Sequence, residues 1–208
     1  MGLTIDFETH SLSVDNELGI ATGWNDGMLS AEGKRLAAEL GERYRADPPA
    51  AVFASDLGRA VETATIAFRA SGVPIHQDDR LRECNYGRLN GSPVAELAAA
   101  RALHVSVPFP GGESYSDVVI RMGALLEELR ASWDGSRLVV IGHTATRWAL
   151  DHLSTGASLD QLVAAPFEWQ TGWRYTFGRA TRRRRSSRRS GCWGPRRRRR
   201  SGGRRRPR

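Results

Sequence analysis

Four residues stand where a polar side chain can reach a ligand beyond the end of a strand or at the start of a helix. His10 follows the apolar segment Leu3–Phe7. Arg59 follows Ala50–Ala54 and the pair Ser55-Asp56. His143 follows Arg137–Ile141, and Glu83 sits in the charged stretch Leu81-Arg82-Glu83-Cys84. Together they can carry out phosphoryl transfer. An imidazole in its neutral form attacks phosphorus. A guanidinium holds two phosphate oxygens with its planar fork, further donors stabilise the equatorial oxygens, and a carboxyl group protonates the departing oxygen. Taken singly, each has a plainer reading. A loop histidine is usually only that, and Glu83 can pair with Arg80 or Arg82 at the surface. Arg59 can be an ordinary helix-start residue, although a cation there opposes the helix dipole unless an anion joins it.

The elements that must position these residues can be read from patterning. Leu3–Phe7 is expected as a short strand. Ser30 precedes a helix carrying Leu36, Ala37, Leu40 and Tyr44 at helical spacing through about Arg45. Ala50–Ala54 reads as a buried strand, with Ser55-Asp56 as an N-cap pair for a helix from Leu57 to about Ala70. Val73–His76 is a minor strand, and Ser92–Ala102 is an Ala-rich helix. Tyr115–Trp133 is a long amphipathic helix with Val118, Met122, Leu125 and Leu129 on one face. Arg137–Ile141 is a buried strand, followed by a helix through Leu153, and a last strand lies around Gly172–Phe177. Strands alternating with helices predict a three-layer α/β/α sandwich with a mostly parallel central sheet. Such sheets bind ligands beyond the carboxyl ends of their strands, where His10, Arg59 and His143 all fall.

Composition divides the chain in two. Residues 179–208 hold 16 arginines and no acidic residue, leaving 15 basic against 23 acidic residues in 1–178. The body is acidic, and the formal charge of +8 belongs to the tail. The domain is expected to be 1–178. The Arg-rich tail 179–208 cannot build a core and is expected to be disordered. Its Arg/Gly/Ser/Pro composition is what a shifted reading frame in GC-rich DNA gives; the alternative is nonspecific attraction to nucleic acid through counterion release. Two cysteines, Cys84 and Cys192, form no metal spacing and no disulfide framework. There is no apolar run long enough to span a membrane and no basic-apolar leader at Met1–Phe7, so a cytoplasmic location is expected.

Four segments in order resemble the histidine phosphatase, or phosphoglycerate mutase-like, superfamily. The first is Thr9-His10-Ser11-Leu12-Ser13-Val14-Asp15-Asn16, with Gly23-Trp24 and Leu29-Ser30 after it. The second is Ser55-Asp56-Leu57-Gly58-Arg59-Ala60-Val61-Glu62-Thr63-Ala64, the third Leu81 to Gly87, and the fourth Val139-Val140-Ile141-Gly142-His143. Gly111-Gly112-Glu113-Ser114 matches a family loop that precedes a long helix. Each motif alone is weak, and four in register are specific. The resemblance implies a phosphohistidine at His10, with Arg59 and His143 binding and polarising the phosphoryl group. It implies that Glu83 serves as acid and then base, and that Ser13 and Asn16 line the phosphate pocket. No metal and no cofactor are implied; the implied partner is a small phosphorylated substrate.

The chain departs from the family pattern at three places. Thr9 stands where the family has arginine, Ser11 where it has glycine after the nucleophile, and Thr144 where it has glycine after the second histidine. The hydroxyls of Thr9, Ser11 and Thr144 are therefore carried as substrate-binding candidates, and Arg82 or Arg147 as substitutes for the missing cation. The preferred activity is hydrolysis of a small phosphate monoester. The alternatives are a mutase and a weakly active phospho-ligand-binding pseudoenzyme. Specificity is expected to lie in residues 85–114.

Overall fold

In a computed structural model, the described residues are 2–166 and 168–178; the arginine-rich segment 179–208 lies outside them. Five strands form one sheet: β1 (Leu3–Thr9), β3 (Ala51–Ala54), β4 (Ile75–Gln77), β6 (Arg137–Gly142) and β7 (Trp173–Phe177), in the order β4-β3-β6-β1-β7. All neighbouring pairs are parallel except β1 with β7. A separate two-stranded ribbon pairs β2 (Ile20–Ala21) with β5 (Ser92–Pro93).

Side-chain alternation along β6 builds the three layers. Leu138 and Val140 join Leu3, Ile5 and Phe7 in a core shared with α5 (Tyr115–Ser132) and α6 (Thr144–Thr155). Val139 and Ile141 point the other way, toward α2 (Ala31–Arg45) and α3 (Gly58–Phe68), where they meet Leu40, Ala60, Ala64 and Phe68. Both sheet faces are covered, which is why β6 reads as an unbroken apolar run rather than an alternating one. The chain has the expected mostly parallel sheet flanked by helices.

The local signals mostly land as expected. Ser30 Oγ accepts the Gly33 N–H at 3.1 Å and starts α2. Ser114 and Asp117 form a full capping box on α5. The expected N-cap pair before α3 is wrong. Leu57 is the N-cap and makes no side-chain cap bond. Ser55, fully buried, accepts the Leu57 N–H at 3.2 Å, and the Asp56 carboxylate is held by Arg82 at 2.5–2.7 Å. The expected helix 92–102 is shorter: Ser92-Pro93 belong to β5, α4 spans Val94–Ala100, and a 3-10 turn, Arg101–His104, finishes it. Pro93 has no N–H for an interior helical bond, so the helix begins after it. Two short helices, α1 (Val14–Glu17) and α7 (Leu159–Ala164), were not expected.

One glycine fixes how α2 meets the site loop. A Cβ on Gly33 would lie 1.8 Å from the Leu12 carbonyl oxygen, and the Gly33 carbonyl accepts the Ser11 hydroxyl at 2.7 Å. The loop that follows β1 therefore lies directly on the first turn of α2.

Candidate active site

Register brings the two histidines together. Thr9 pairs with Gly142 across β1 and β6, and the next N–H, that of His10, donates to the Gly142 carbonyl at 2.9 Å. The imidazoles of His10 and His143 then lie with centroids 5.0 Å apart. Arg59 arrives from the first turn of α3, the helix after β3, and is 2% exposed. All three stand at the carboxyl ends of adjacent strands.

Hydrogen bonds define the tautomers. His10 Nδ1 lies 2.7 Å from the Ser11 carbonyl oxygen, which can only accept. Nδ1 therefore carries the proton, and Nε2 presents a lone pair, which accepts Arg59 Nε–H at 3.2 Å. Burial and the Arg59 charge push the His10 pKa down to about 3, against a smaller rise from the Ser11 carbonyl. The ring is neutral at physiological pH, the form that a nucleophile requires. Arg59 NH2 lies 3.3 Å from His143 Nδ1 and donates to the Gly23 carbonyl at 2.8 Å. Because a guanidinium only donates, His143 Nδ1 accepts and its proton sits on Nε2. Burial, Arg59 and His10 hold His143 neutral as well.

Two buried donors in this cluster have no partner: Arg59 NH1 and His143 Nε2. Buried donors are normally paired, and an unpaired one costs about 1–3 kcal/mol. An arriving oxyanion would satisfy both.

Glu83 stands near the same group. Its Oε1 accepts the N–H of Cys84 at 2.7 Å and of Ala145, in the first turn of α6, at 3.2 Å. Burial raises its pKa, outweighing the two backbone bonds and the charges of Arg59 and Arg121. A carboxyl that keeps its proton above the ordinary carboxylate range is suited to donate it.

His10, Asn16, Arg59, Glu83 and Thr144 all line one cavity of about 160 Å³. Its remaining wall comes from Ile20, Ala21, Thr22, Gly23, Tyr86, Tyr115 and Trp148, with Val94, Leu97, Ala98 and Arg101 from α4 and the turn after it. A second cavity, about 460 Å³, borders His10 and Asn16 on another side and is lined by Thr9 and Ser11. Three of the hydroxyls marked in the sequence are placed as follows. Ser11 Oγ donates to Gly33, its N–H is taken by Thr63 Oγ1 at 3.0 Å, and Thr9 lines the second cavity. Ser13 is fully buried; its Oγ accepts the Asn16 N–H while Asn16 Oδ1 accepts the Ser13 N–H, both at 3.1 Å, in a capping box on α1.

The expectation that Arg82 or Arg147 replaces the missing arginine is not met. Arg82 is forked onto Asp56 and lies over the Trp24 ring at 4.6 Å. Arg147 pairs with Asp151 at 3.1 Å and covers Trp173 at 4.8 Å. Neither lines a cavity with His10. Each has found a carboxylate and an aromatic face of its own, and leaving would take the cation from a half-buried Asp. Sequence reading missed Thr22, Arg101, Tyr115 and Trp148 as wall residues. No local motif marks them, since they come from four separate segments that only packing unites.

A mostly parallel sheet whose site places His10, Arg59 and Glu83 on one small cavity, with His143 buried against His10 and Arg59 behind it, defines a phosphoryl-transfer scaffold. The chain belongs to the histidine phosphatase superfamily (branch 1), whose family model matches residues 8–174. Among curated proteins it is similar to 2,3-bisphosphoglycerate-dependent phosphoglycerate mutase 2 of Gloeobacter violaceus, 34% identical over 185 residues, covering 77% of this chain and 83% of that one. It is also similar to the probable phosphoglycerate mutase GpmB of Salmonella paratyphi C, 33% identical over 129 residues, covering 58% of this chain and 60% of that one. Among solved structures it resembles Bacillus stearothermophilus YhfR, with TM-score 0.73, 27% identity and coverage of 81% and 88% of the two chains. The mycobacterial glucosyl-3-phosphoglycerate phosphatase solved with VO3 superposes with TM-score 0.69 at 26% identity, over 79% of this chain and 86% of that one. Among the described residues no helix is long and apolar enough to cross a membrane.

Proposed function

We propose that this protein hydrolyses a small phosphate monoester through a phosphohistidine on His10. The observation that carries the reading is the pair of buried, unpartnered donors, Arg59 NH1 and His143 Nε2, beside the lone pair of His10 Nε2. Donors without acceptors, next to a nucleophile without a proton, form a site prepared for an oxyanion with an electrophilic centre.

In the first step His10 Nε2 attacks phosphorus and the bond from phosphorus to the substrate oxygen breaks. Glu83 gives its proton to that oxygen, so the alcohol leaves neutral. Arg59 turns its Nε–H from His10 to a phosphoryl oxygen, and His143 Nε2–H and the N-terminal end of α6 face the growing negative charge. In the second step a water attacks the phosphohistidine and gives its proton to the Glu83 carboxylate. The N–P bond breaks with its electron pair returning to Nε2, and inorganic phosphate departs. Asn16 and Thr144, both on the cavity wall, supply side-chain contacts to the phosphoryl group. Thr9, Ser11 and Ser13 act through the loop that holds His10. The small cavity, walled largely by apolar groups, supports a compact leaving group.

Mutase chemistry is the second reading, favoured by the name of the Gloeobacter relative. It requires the phosphoryl group to return to the bound alcohol before water intervenes. Thr9 in place of arginine weighs against it, because one fewer cation holds the phosphorylated ligand. The test is a panel of phosphate monoesters, phosphoglycerates included, assayed with wild type and His10→Ala. Phosphate release by wild type alone supports hydrolysis, and isomerised phosphoglycerate without phosphate release supports the mutase. Tight phosphate-ester binding without turnover makes the chain a pseudoenzyme.

A further inference from the structure

The backbone carbonyl of Glu83 receives two side-chain donors from distant parts of the chain. Trp24 Nε1–H reaches it at 2.6 Å from the loop after β2, and Arg121 NH2 reaches it at 2.9 Å from α5. Arg121 is itself fixed. Its NH1 donates to the Arg80 carbonyl at 2.6 Å, and its Nε and NH2 fork onto the Glu113 carboxylate at 3.0 and 3.2 Å. Glu113 also accepts the Asn85 N–H at 2.9 Å and returns its own N–H to the Asn85 carbonyl at 2.8 Å. The segment from Arg80 to Asn85 is thus held on both sides of Glu83. A bidentate Arg–carboxylate pair is a stiff anchor, since its fork permits one geometry.

We propose that Arg121, oriented by Glu113, and Trp24 are positioning residues that set where the Glu83 carboxyl group delivers its proton. This inference rests on Glu83 being the proton donor. Residues 82–86, which include Glu83, lie between the 3-10 turns at Asp79–Leu81 and Gly87–Leu89, so no sheet hydrogen bonds fix them. With Oε1 committed to the N–H groups of Cys84 and Ala145, Oε2 is left for the substrate. Its location depends on the backbone from which the side chain springs. A misplacement of about 1 Å at a reacting group costs as much as 100-fold in rate.

A residue that merely stabilises the loop affects every substrate alike, whereas one that aims a proton donor matters most where the leaving group needs a proton. The test compares kcat/KM, which reports the steps through departure of the leaving group and not the shared hydrolysis of the phosphohistidine, for β-glycerophosphate, an alkyl ester, and for p-nitrophenyl phosphate, whose leaving group departs unprotonated. It uses Trp24→Phe, Glu113→Gln, Arg121→Lys and Arg121→Met, with Glu83→Gln as reference. General acid catalysis contributes about 100- to 10,000-fold, so Glu83→Gln lowers the alkyl-to-aryl ratio by at least about 100-fold. Trp24→Phe and Glu113→Gln lower it by about 10-fold, and Arg121→Lys retains more of the ratio than Arg121→Met. A ratio unchanged in both Trp24→Phe and Glu113→Gln, while Glu83→Gln lowers it, overturns the positioning role alone. A ratio unchanged in Glu83→Gln overturns the role of Glu83 and this inference with it. If the Arg121 variants do not fold, Trp24→Phe and Glu113→Gln decide.

Discussion

Replacing Arg59 with lysine asks how much of the chemistry rests on one guanidinium. Arg59 uses Nε on His10 and NH2 on Gly23 and His143, and holds NH1 in reserve. With threonine at position 9 and both Arg82 and Arg147 engaged elsewhere, it is the guanidinium bonded to the nucleophile. An ammonium keeps the charge but cannot present Nε and NH1 donors together. Each lost hydrogen bond to a charged group is worth about 1.5–3 kcal/mol, or about 10- to 100-fold in rate. Losing one or two of them predicts a fall of about 100-fold in kcat for p-nitrophenyl phosphate. Urea unfolding run in parallel verifies that Arg59→Lys remains folded. A folded Arg59→Lys enzyme within about fivefold of wild type would refute the reasoning, because the missing charge would then come from elsewhere.

Further outcomes are expected. The pH profile of kcat/KM has an acid limb where His10 takes up a proton, at about pH 3 in the free enzyme. Its alkaline limb comes from loss of the Glu83 proton, above the ordinary carboxylate range because burial raises that pKa. Glu83→Gln removes the alkaline limb, and a limb that persists unchanged assigns it to another group. The same shift bears on stability: a carboxyl whose pKa is raised by folding favours the folded state at low pH and loses that contribution as pH rises through its folded value. Denaturant midpoints of wild type and Glu83→Gln should therefore converge as pH is lowered, and parallel curves would contradict this. Gly33→Ala should lower the unfolding midpoint and kcat together, since its Cβ would collide with the Leu12 carbonyl and shift the loop bearing His10. Phe7→Ala should cost about 3–5 kcal/mol of stability in urea titration, as the Phe7 side chain, projecting from β1, is fully buried in the core.

The sequence was most legible where chemistry coincides with strand ends. His10, Arg59 and His143 could be placed because each follows an apolar run whose burial on both faces leaves no ambiguity of type. Thr9 opposite Gly142 then brings two of them into contact. Glu83 was found from its motif, but the reason it holds a fixed place was not readable. Trp24, Glu113 and Arg121 lie far from it in the chain and meet it only through packing. Ser13 and Asn16 were seen as pocket residues, yet their hydrogen bonds to one another also form a helix cap. Type and spacing suit either use, and backbone geometry shows the cap. The competition for Arg82 was likewise hidden, since Asp56 and Trp24 reach it from other elements, whereas Arg147 pairs with Asp151 one turn along the same helix, a spacing the sequence does show, and only Trp173 comes to it from elsewhere. Arg101 carries no motif at all and becomes part of the cavity wall only because the turn after α4 folds over it.

The central claim is that His10 becomes phosphorylated, and rapid quenching with radiolabelled substrate tests it most directly. The account predicts a phosphoenzyme that is stable in base and labile in acid, maps by peptide mass to His10, and is absent from His10→Ala. An acid-stable phosphoenzyme, a label on any other residue, or turnover by His10→Ala at the wild-type rate would contradict it.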